Sequence, residues 1–411
     1  MNNVPNLRFP EFQGEWEKHE LNDICETITD FVAAGSFASL RENVTYYQED
    51  NYAQLVRTID LKNNFSNNEF VYVDKGAYDF LWRVQLIEPN IVLPNIGANI
   101  GEKYYVRPQN LPKDKNVLGP NAILLRSESN DTHFVYFRLS TSSYDNEMKK
   151  LVGASGQPKF NKTDLKKVKV FMPTISEQKK ISRFLALIDE RIATQNKIID
   201  KLQSLIKGLN DSLYAQYGNE VKTSFANLGT SYSGLSGKSA QDFGSGKPFI
   251  TYLNVYSNNV INEKDFQYVT IKDGEKQNIV EYGDVLFTLS SETPNEVGIG
   301  SVFLGKDKVF LNSFCFGIHI TNKEVAFPPY LSYYVSSTAF RKFIYPYAQG
   351  STRFNLCKAD FEKASIKLPT LESQKRIYSI LGHIDCKIET ERLLLALYNS
   401  QKQYLLRQMF I

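Results

Sequence analysis

One segment of this 411-residue chain occurs twice. PTISEQKKISRFLALIDERI, beginning at Pro173, returns as PTLESQKRIYSILGHIDCKI, beginning at Pro369. The offset is 196 residues throughout: Pro173 to Pro369, Gln178 to Gln374, Ile181 to Ile377, Asp189 to Asp385. A repeat of nearly half the chain implies two similar halves. The length agrees, because single cores rarely grow beyond ~250 to 300 residues.

Each copy reads as the start of a long helix. Thr174 followed by Glu177 predicts a capping box, with Pro173 ending whatever precedes it. Apolar residues then recur every seven positions in two interleaved series, Ile181, Ile188, Leu202, Leu209 and Leu185, Ile192, Ile199, Ile206, Leu213. That is a coiled-coil seam, and from Glu177 to Leu213 it would run ~55 Å. The second copy keeps the seam at Ile377, Leu381, Ile384, Ile388, Leu395, Leu405 and Met409, with Lys402 in an apolar place, so its far end is expected to pack less tightly. Gln195 and Glu391 fall at one heptad position midway along each helix, where a polar core residue fixes register. The alternative is that each helix packs only on its own globular half.

The remainder repeats more faintly. GQPKFNKTDLKKVKVFMP from Gly156 matches GSTRFNLCKADFEKASIKLP from Gly350, FVYFRLSTS at Phe134 matches YLSYYVSST at Tyr330, and the stretch from Asn90 resembles that from Asp284. Short apolar runs broken by Gly and Pro read as strands and turns. The expected class is α+β: two mostly-β domains related by a pseudo-two-fold and separated by an antiparallel coiled coil of two long helices. Antiparallel pairing is preferred because a parallel pair would force residues 214 to 368 back along the whole helix. A pseudo-symmetric chain with two unlike heads suits a split, asymmetric DNA target, its parts on the order of 10 to 16 bp apart.

Composition removes other classes. No run approaches the ~18 apolar residues of a membrane span, and the first residues show no export signal, so a cytoplasmic protein is expected. Cys25, Cys315, Cys357 and Cys386 lack CxxC spacing and read as reduced, buried filler. A net charge of +3 requires any basic surface to be local.

The opening LRFPEFQGEWEKHELNDI, the doubled PT(I/L)xxQK(K/R)I and the half-chain repeat resemble the specificity subunit of type I restriction–modification systems over the whole chain. The resemblance implies two target-recognition domains, 1–172 and 214–368, joined by conserved helices, 173–213 and 369–411. It also implies two methyltransferase subunits docked on the helices, with restriction subunits in the complete complex. Double-stranded DNA is the implied target, read by a non-catalytic subunit without a cofactor. Lys402 and the divergent domain openings depart from an even repeat.

Enzymatic signals are weak. Phe327-Pro328-Pro329-Tyr330 imitates an adenine-methyltransferase motif but lacks its Asn and reads as a loop entering a helix. Gly298, Gly300 and Gly305 lack GxGxxG spacing and read as a strand turn. His19, His133, His319 and His383 are isolated, which supports no metal site, and Asp189 with Glu190 reads as a solvated helix face. No catalytic residue is assigned. Candidate DNA contacts are Arg57, Trp82, Arg83, Lys103, Tyr104 and Lys159 in the first half, and Lys238, Lys247, Tyr252, Ser290, Ser291, Arg341, Lys342 and Arg353 in the second. They lie in polar or aromatic stretches between expected strands, where Arg and Lys meet phosphates or guanine edges. Lys159 and Arg353 each precede Phe-Asn and are taken as equivalent. Lys179, Arg183 and Arg191 are candidates for the methyltransferase interface. Two other readings remain: a DNA-modifying or DNA-cutting enzyme with a degenerate active site, and a coiled-coil adaptor without DNA binding.

Overall fold

The computed structural model describes residues 3–66, 69–97, 99–152 and 159–411. Two compact units divide the chain, Met1–Gln195 with Leu394–Ile411, and Asn196–Leu393. Two helices exceed all others in length, the central helix Ile175–Tyr217 and the C-terminal helix Leu371–Gln408.

In the first unit an antiparallel sheet is ordered Thr27–Asp30, Ala122–Arg126, Asn90–Pro94, Tyr104–Val106. Its central strands, NIVLP and AILLR, are almost wholly apolar because both faces are covered. Ile91, Leu93, Ile123 and Leu125 face a cluster containing Phe134, Phe137 and the start of the central helix. Val92, Ala122 and Leu124 face a second cluster, which includes residues of the sheet Val71–Val73, Ala53–Val56, Asn116–Leu118. A short ladder, Glu17–Glu20 on Lys169–Met172, precedes the central helix.

The second unit repeats this order strand for strand. Gly229–Ser233, Cys315–Ile320, Val285–Thr288, Gly300–Val302 form the antiparallel sheet, and Gln267–Val269, Phe243–Ile250, Phe310–Leu311 the smaller one. Val221–Thr223 pairs with Ile366–Leu368 ahead of the C-terminal helix. The Phe-Pro-Pro-Tyr segment enters the helix Pro328–Tyr334 with Pro in its first turn, as the sequence predicts. Gly298 has φ +64° in the turn ahead of the strand Gly300–Val302.

Within each unit the beginning of one long helix meets the end of the other, as an antiparallel coiled coil requires. In the first, Ile181, Leu185 and Ile188 share a cluster with Leu405, Leu406 and Met409. In the second, Ile377 and Leu381 share one with Ile206, Leu209 and Leu213. Gln195 and Glu391 are buried, at 4% and 7% exposure.

Four expectations are corrected. Lys402 does not loosen the helix end: Nζ pairs with Asp189 Oδ1 at 2.6 Å and lies 5.7 Å from the Phe137 ring, and Leu405, Leu406, Met409 and Phe410 beyond it are buried. Asp189 is thereby an ion-pair partner rather than part of a plain solvated face. The Thr174–Glu177 capping box gives way to a tertiary contact, because the Glu177 carboxylate is buried, accepting from Arg8 Nε at 2.8 Å, Arg8 Nη2 at 2.7 Å and Trp16 Nε1 at 3.4 Å. Cys25 and Cys315 are buried filler, but Cys386 is exposed and Cys357 partly so.

The doubled glutamine has a structural explanation. Gln374 is fully buried; its Nε2 donates to Val325 O at 2.7 Å and Pro369 O at 2.9 Å, and its Oε1 accepts from Phe327 N at 2.8 Å. Gln178 does the same in the first unit, from Nε2 to Pro173 O at 2.9 Å and to Asn130 Oδ1 at 2.9 Å, while Oε1 accepts from Asp131 N at 3.1 Å. Each glutamine ties the start of a long helix to the start of the helix that follows the central sheet.

Candidate nucleic-acid interface

Strand register gives the two units a common coordinate system. Ile91 opposes Leu125 as Val285 opposes Ile318, so the central strands align. The strand continuing past Thr288 pairs Ser290 with Asn355, and the bridge at the matching place pairs Ile96 with Lys159. Backbone bonds agree: Leu356 N donates to Leu289 O and Phe160 N to Asn95 O. Lys159 therefore corresponds to Asn355, keeping the 196-residue offset, and the Phe-Asn match that paired it with Arg353 is two residues out of register. The position matching Arg353 lies outside the described residues.

In the second unit Tyr252, Ser290, Ser291 and Arg353 converge on one cleft of about 640 Å³. The helix Tyr252–Ser257 begins at a Thr251 cap that accepts from Asn254 N, which places Tyr252 and Tyr256 one turn apart, their rings 6.1 Å apart and nearly parallel. Tyr252 donates to Ser290 O at 2.7 Å. Arg353 Nη2 reaches Ser290 Oγ at 3.3 Å, with the guanidinium 5.9 Å from the Phe314 ring. Hydrogen bonds from Tyr256, Thr293 and Ser291 hold the Glu296 carboxyl below its ordinary range. Leu253 and Phe314, 66% and 56% exposed, stand at the same cleft.

At the matching place of the first unit, beside Asn95, Ile96 and Asn121, lies a cleft of about 500 Å³ with a different lining. Exposed Val32, Phe37 and Tyr46 dominate it, with Arg41 as a cation. Sequence reasoning nominated none of these four, nor Tyr256, Leu253 and Phe314. Aligning the units by register rather than by similarity is the signal that finds them.

The other nominated residues fall into two groups. Some are free to meet a ligand. Trp82 is 60% exposed with the Arg83 guanidinium stacked 4.2 Å from its ring, and Lys159, Lys247 and Lys342 are exposed. Lys247 follows Gly244 and Gly246, both at positive φ, in a bulged strand; a Cβ on Gly246 would meet Val269 O at 2.6 Å. The rest are engaged inside the protein. Arg57 grips Asp60, Nε to Oδ2 at 3.0 Å and Nη2 to Oδ1 at 2.7 Å. Arg341 donates to the carbonyls of Asn295, Val297 and Gly298. Lys238, 5% exposed at its side chain, pairs with Glu275, Lys103 pairs with Asp145, and Tyr104 donates to Glu102, its phenol pushed up first by burial and then by that carboxylate. The first-half nominees do not converge on the register-matched cleft.

Among the described residues no group of three or more His, Cys, Asp or Glu is placed to hold a metal ion. None of their helices is long and apolar enough to cross a membrane.

Comparison with known proteins bears on this two-headed plan. The chain is 25% identical over 422 aligned residues to the putative type I restriction enzyme MjaX specificity subunit of Methanocaldococcus jannaschii, covering 95% of this chain and 91% of that protein. It is 23% identical to the MjaVIII specificity subunit of the same organism, over 74% of each. The crystal structure of the type I restriction–modification S subunit from M. genitalium shares the fold at a TM-score of 0.52 and 14% identity, covering 99% of both chains. A chain from a study of complex assembly and conformational transition of the type I R-M system does so at 0.57 and 14%, covering 96% of this chain and 97% of that one. With residues 13–204 and 235–397 both matching the type I restriction modification DNA specificity domain, the chain belongs to that family and is a type I specificity subunit.

Proposed function

We propose that the chain is the non-catalytic, cytoplasmic DNA reader of its complex, recognising a split, asymmetric duplex site with one head per half-site. The supporting observation is that two units of one topology carry clefts at register-matched positions with unlike linings, mainly apolar side chains around Asp30 and Arg41 in the first and mainly hydroxyl, aromatic and charged ones in the second. Equal scaffolds with unequal linings suit unequal half-sites. In the second cleft, Glu292 and Glu296 repel phosphate oxygens, so Tyr252, Ser290, Ser291 and Arg353 are assigned to base edges. Trp82, Arg83, Lys159, Lys247 and Lys342 are assigned to the backbone or flanking bases. Arg57, Lys103, Tyr104, Lys238 and Arg341 act by holding the loops that present these groups.

The recognition domains are taken as 1–172 and 214–368, with the helices 173–213 and 369–411 between and after them. Two methyltransferase subunits dock on those helices, where Lys179, Arg183 and Arg191 are exposed, and restriction subunits complete the complex. Selection from random duplexes by the purified chain with its methyltransferase partners tests this reading. A single split, asymmetric site is expected, with no saturable methyl-donor binding by the chain alone. Failure to select any sequence, or saturable donor binding, would overturn it.

A further inference from the structure

Arg138 lies on the helix Thr132–Leu139 of the first unit and is 4% exposed. Its Nη1 donates to Thr141 Oγ1 at 2.7 Å and Ser143 Oγ at 2.8 Å. Among the described residues no carboxylate pairs with the guanidinium, and its Nε is buried without a hydrogen-bond partner. Burial alone lowers its pKa to about 10. The Tyr144 hydroxyl, six residues on, is also buried without a partner. A buried, unpaired cation is expensive to keep and is ordinarily neutralised by an anion.

Both side chains line one cavity of about 510 Å³, rimmed by exposed Lys18, Lys167 and Lys169. Two side-chain carboxylates also line it, but Glu147 pairs with Lys150 at 2.6 Å and Asp164 accepts from Asn161 Nδ2 at 2.7 Å. Ile411 forms part of the wall, its carbonyl accepting from Ser143 Oγ at 3.5 Å. Lys169 is 3.9 Å from Glu20, and the Lys18 ammonium lies 5.5 Å from the Phe171 ring. Four cations thus face two side-chain carboxylates that already have partners. The shared fold does not demand the arginine, because the repeat offset puts buried Tyr334 at the corresponding place of the second unit.

We propose that this cavity is a binding site for a phosphate-class oxyanion, with the Arg138 guanidinium as its inner ligand, the Tyr144 hydroxyl beside it and the lysines at its mouth. A guanidinium presents paired donors that match two oxygens of such an anion. Free phosphate and a DNA phosphodiester share this chemistry, and the two sources separate experimentally. Thermal unfolding of the full chain is followed in phosphate against chloride at constant ionic strength. The wild type shows a saturable rise in Tm with phosphate, and Arg138→Met weakens the apparent affinity roughly tenfold or more. Because Arg138→Met alters a buried position, Lys167→Gln with Lys169→Gln is the second variant; it leaves the core intact and weakens the affinity several-fold. If DNA supplies the oxyanion, phosphate competes with duplex and the double-lysine variant binds all sequences less well; if the anion is free, duplex binding is unchanged. Either result supports the site. No rise above chloride, or a rise equal in wild type and both variants, overturns it.

Discussion

Replacing Gln374 separates a structural role for the doubled segment from a recognition role. Its amide satisfies three backbone groups, Pro369 O in a buried contact and Val325 O and Phe327 N in partly buried ones. Gln374→Met keeps the volume and leaves all three without partners. An unmet buried backbone group costs about 1 to 3 kcal/mol, so even with relaxation the loss is about 3 kcal/mol. For a cooperative unit of this size each kcal/mol lowers Tm by about 2 to 4 °C, which gives a drop of about 6 to 12 °C.

Gln374→Glu sharpens the test. Its first oxygen can still accept from Phe327 N, but the second faces two carbonyl oxygens where the amide stood 2.7 and 2.9 Å away. The ionised form is disfavoured in the fold, so the folded pKa is raised above the unfolded one. Stability relative to wild type is therefore partly restored at low pH and lost as pH rises through the folded pKa. Thermal unfolding between pH 5 and pH 8, with DNA selection alongside, checks both variants. Were Gln374→Met to melt with the wild type while DNA or methyltransferase binding collapsed, the glutamine would be a recognition residue and this reasoning would fail.

Other perturbations follow from single contacts. His133, stacked 4.0 Å from Tyr105, has its pKa lowered to about 4 by burial and by Arg107 and Lys402. As pH falls from 6.5 towards 4 the unfolded chain takes up a proton that the native state resists, so stability declines by on the order of 3 kcal/mol at most; His133→Phe should flatten that decline in denaturant titrations above pH 4.5. Lys402→Met keeps the stem over Phe137 and loses only the partly exposed pair with Asp189, about 1 kcal/mol or less, whereas Lys402→Ala loses both and should unfold at lower urea. Arg57→Ala strands the buried Asp60 carboxylate and should destabilise by about 3 kcal/mol. Trp82→Ala, at an exposed site, should stay within about 0.5 kcal/mol in stability while weakening duplex binding in fluorescence titrations.

The repeat, the long helices and the presence of short strands in each half were legible because they rest on periodicity, which local sequence carries. Partners distant in sequence were not. Glu177 is three residues from Thr174 and matches a capping box, yet its donors Arg8 and Trp16 lie 169 and 161 residues away. Arg341 looks like a free cation until the carbonyls of Asn295, Val297 and Gly298 fold against it. Arg57 was readable in principle, since Asp60 follows at i+3, the spacing that brings side chains together on a helical turn. The mistaken pairing of Lys159 with Arg353 shows the limit of similarity: two residues resembling Phe-Asn outweighed an offset that the strand ladder obeys.

What the units share and where they differ follow one physical rule. Gln178 and Gln374 are identical because the fold itself creates the orphan amides and carbonyls they satisfy. Asp164 and Asp360 recur at the matching helix, Asp164 N donating to the Asn161 Oδ1 cap and the Asp360 carboxylate accepting from Cys357 Sγ. Where no backbone group dictates the side chain, the copies diverge: Ile96 against Ser290 and Asn121 against Phe314 in the clefts, Arg138 against Tyr334 beside the cavity. Divergence at the clefts is what a reader requires, because its target can change while the sheet order and the helix ties stay as they are.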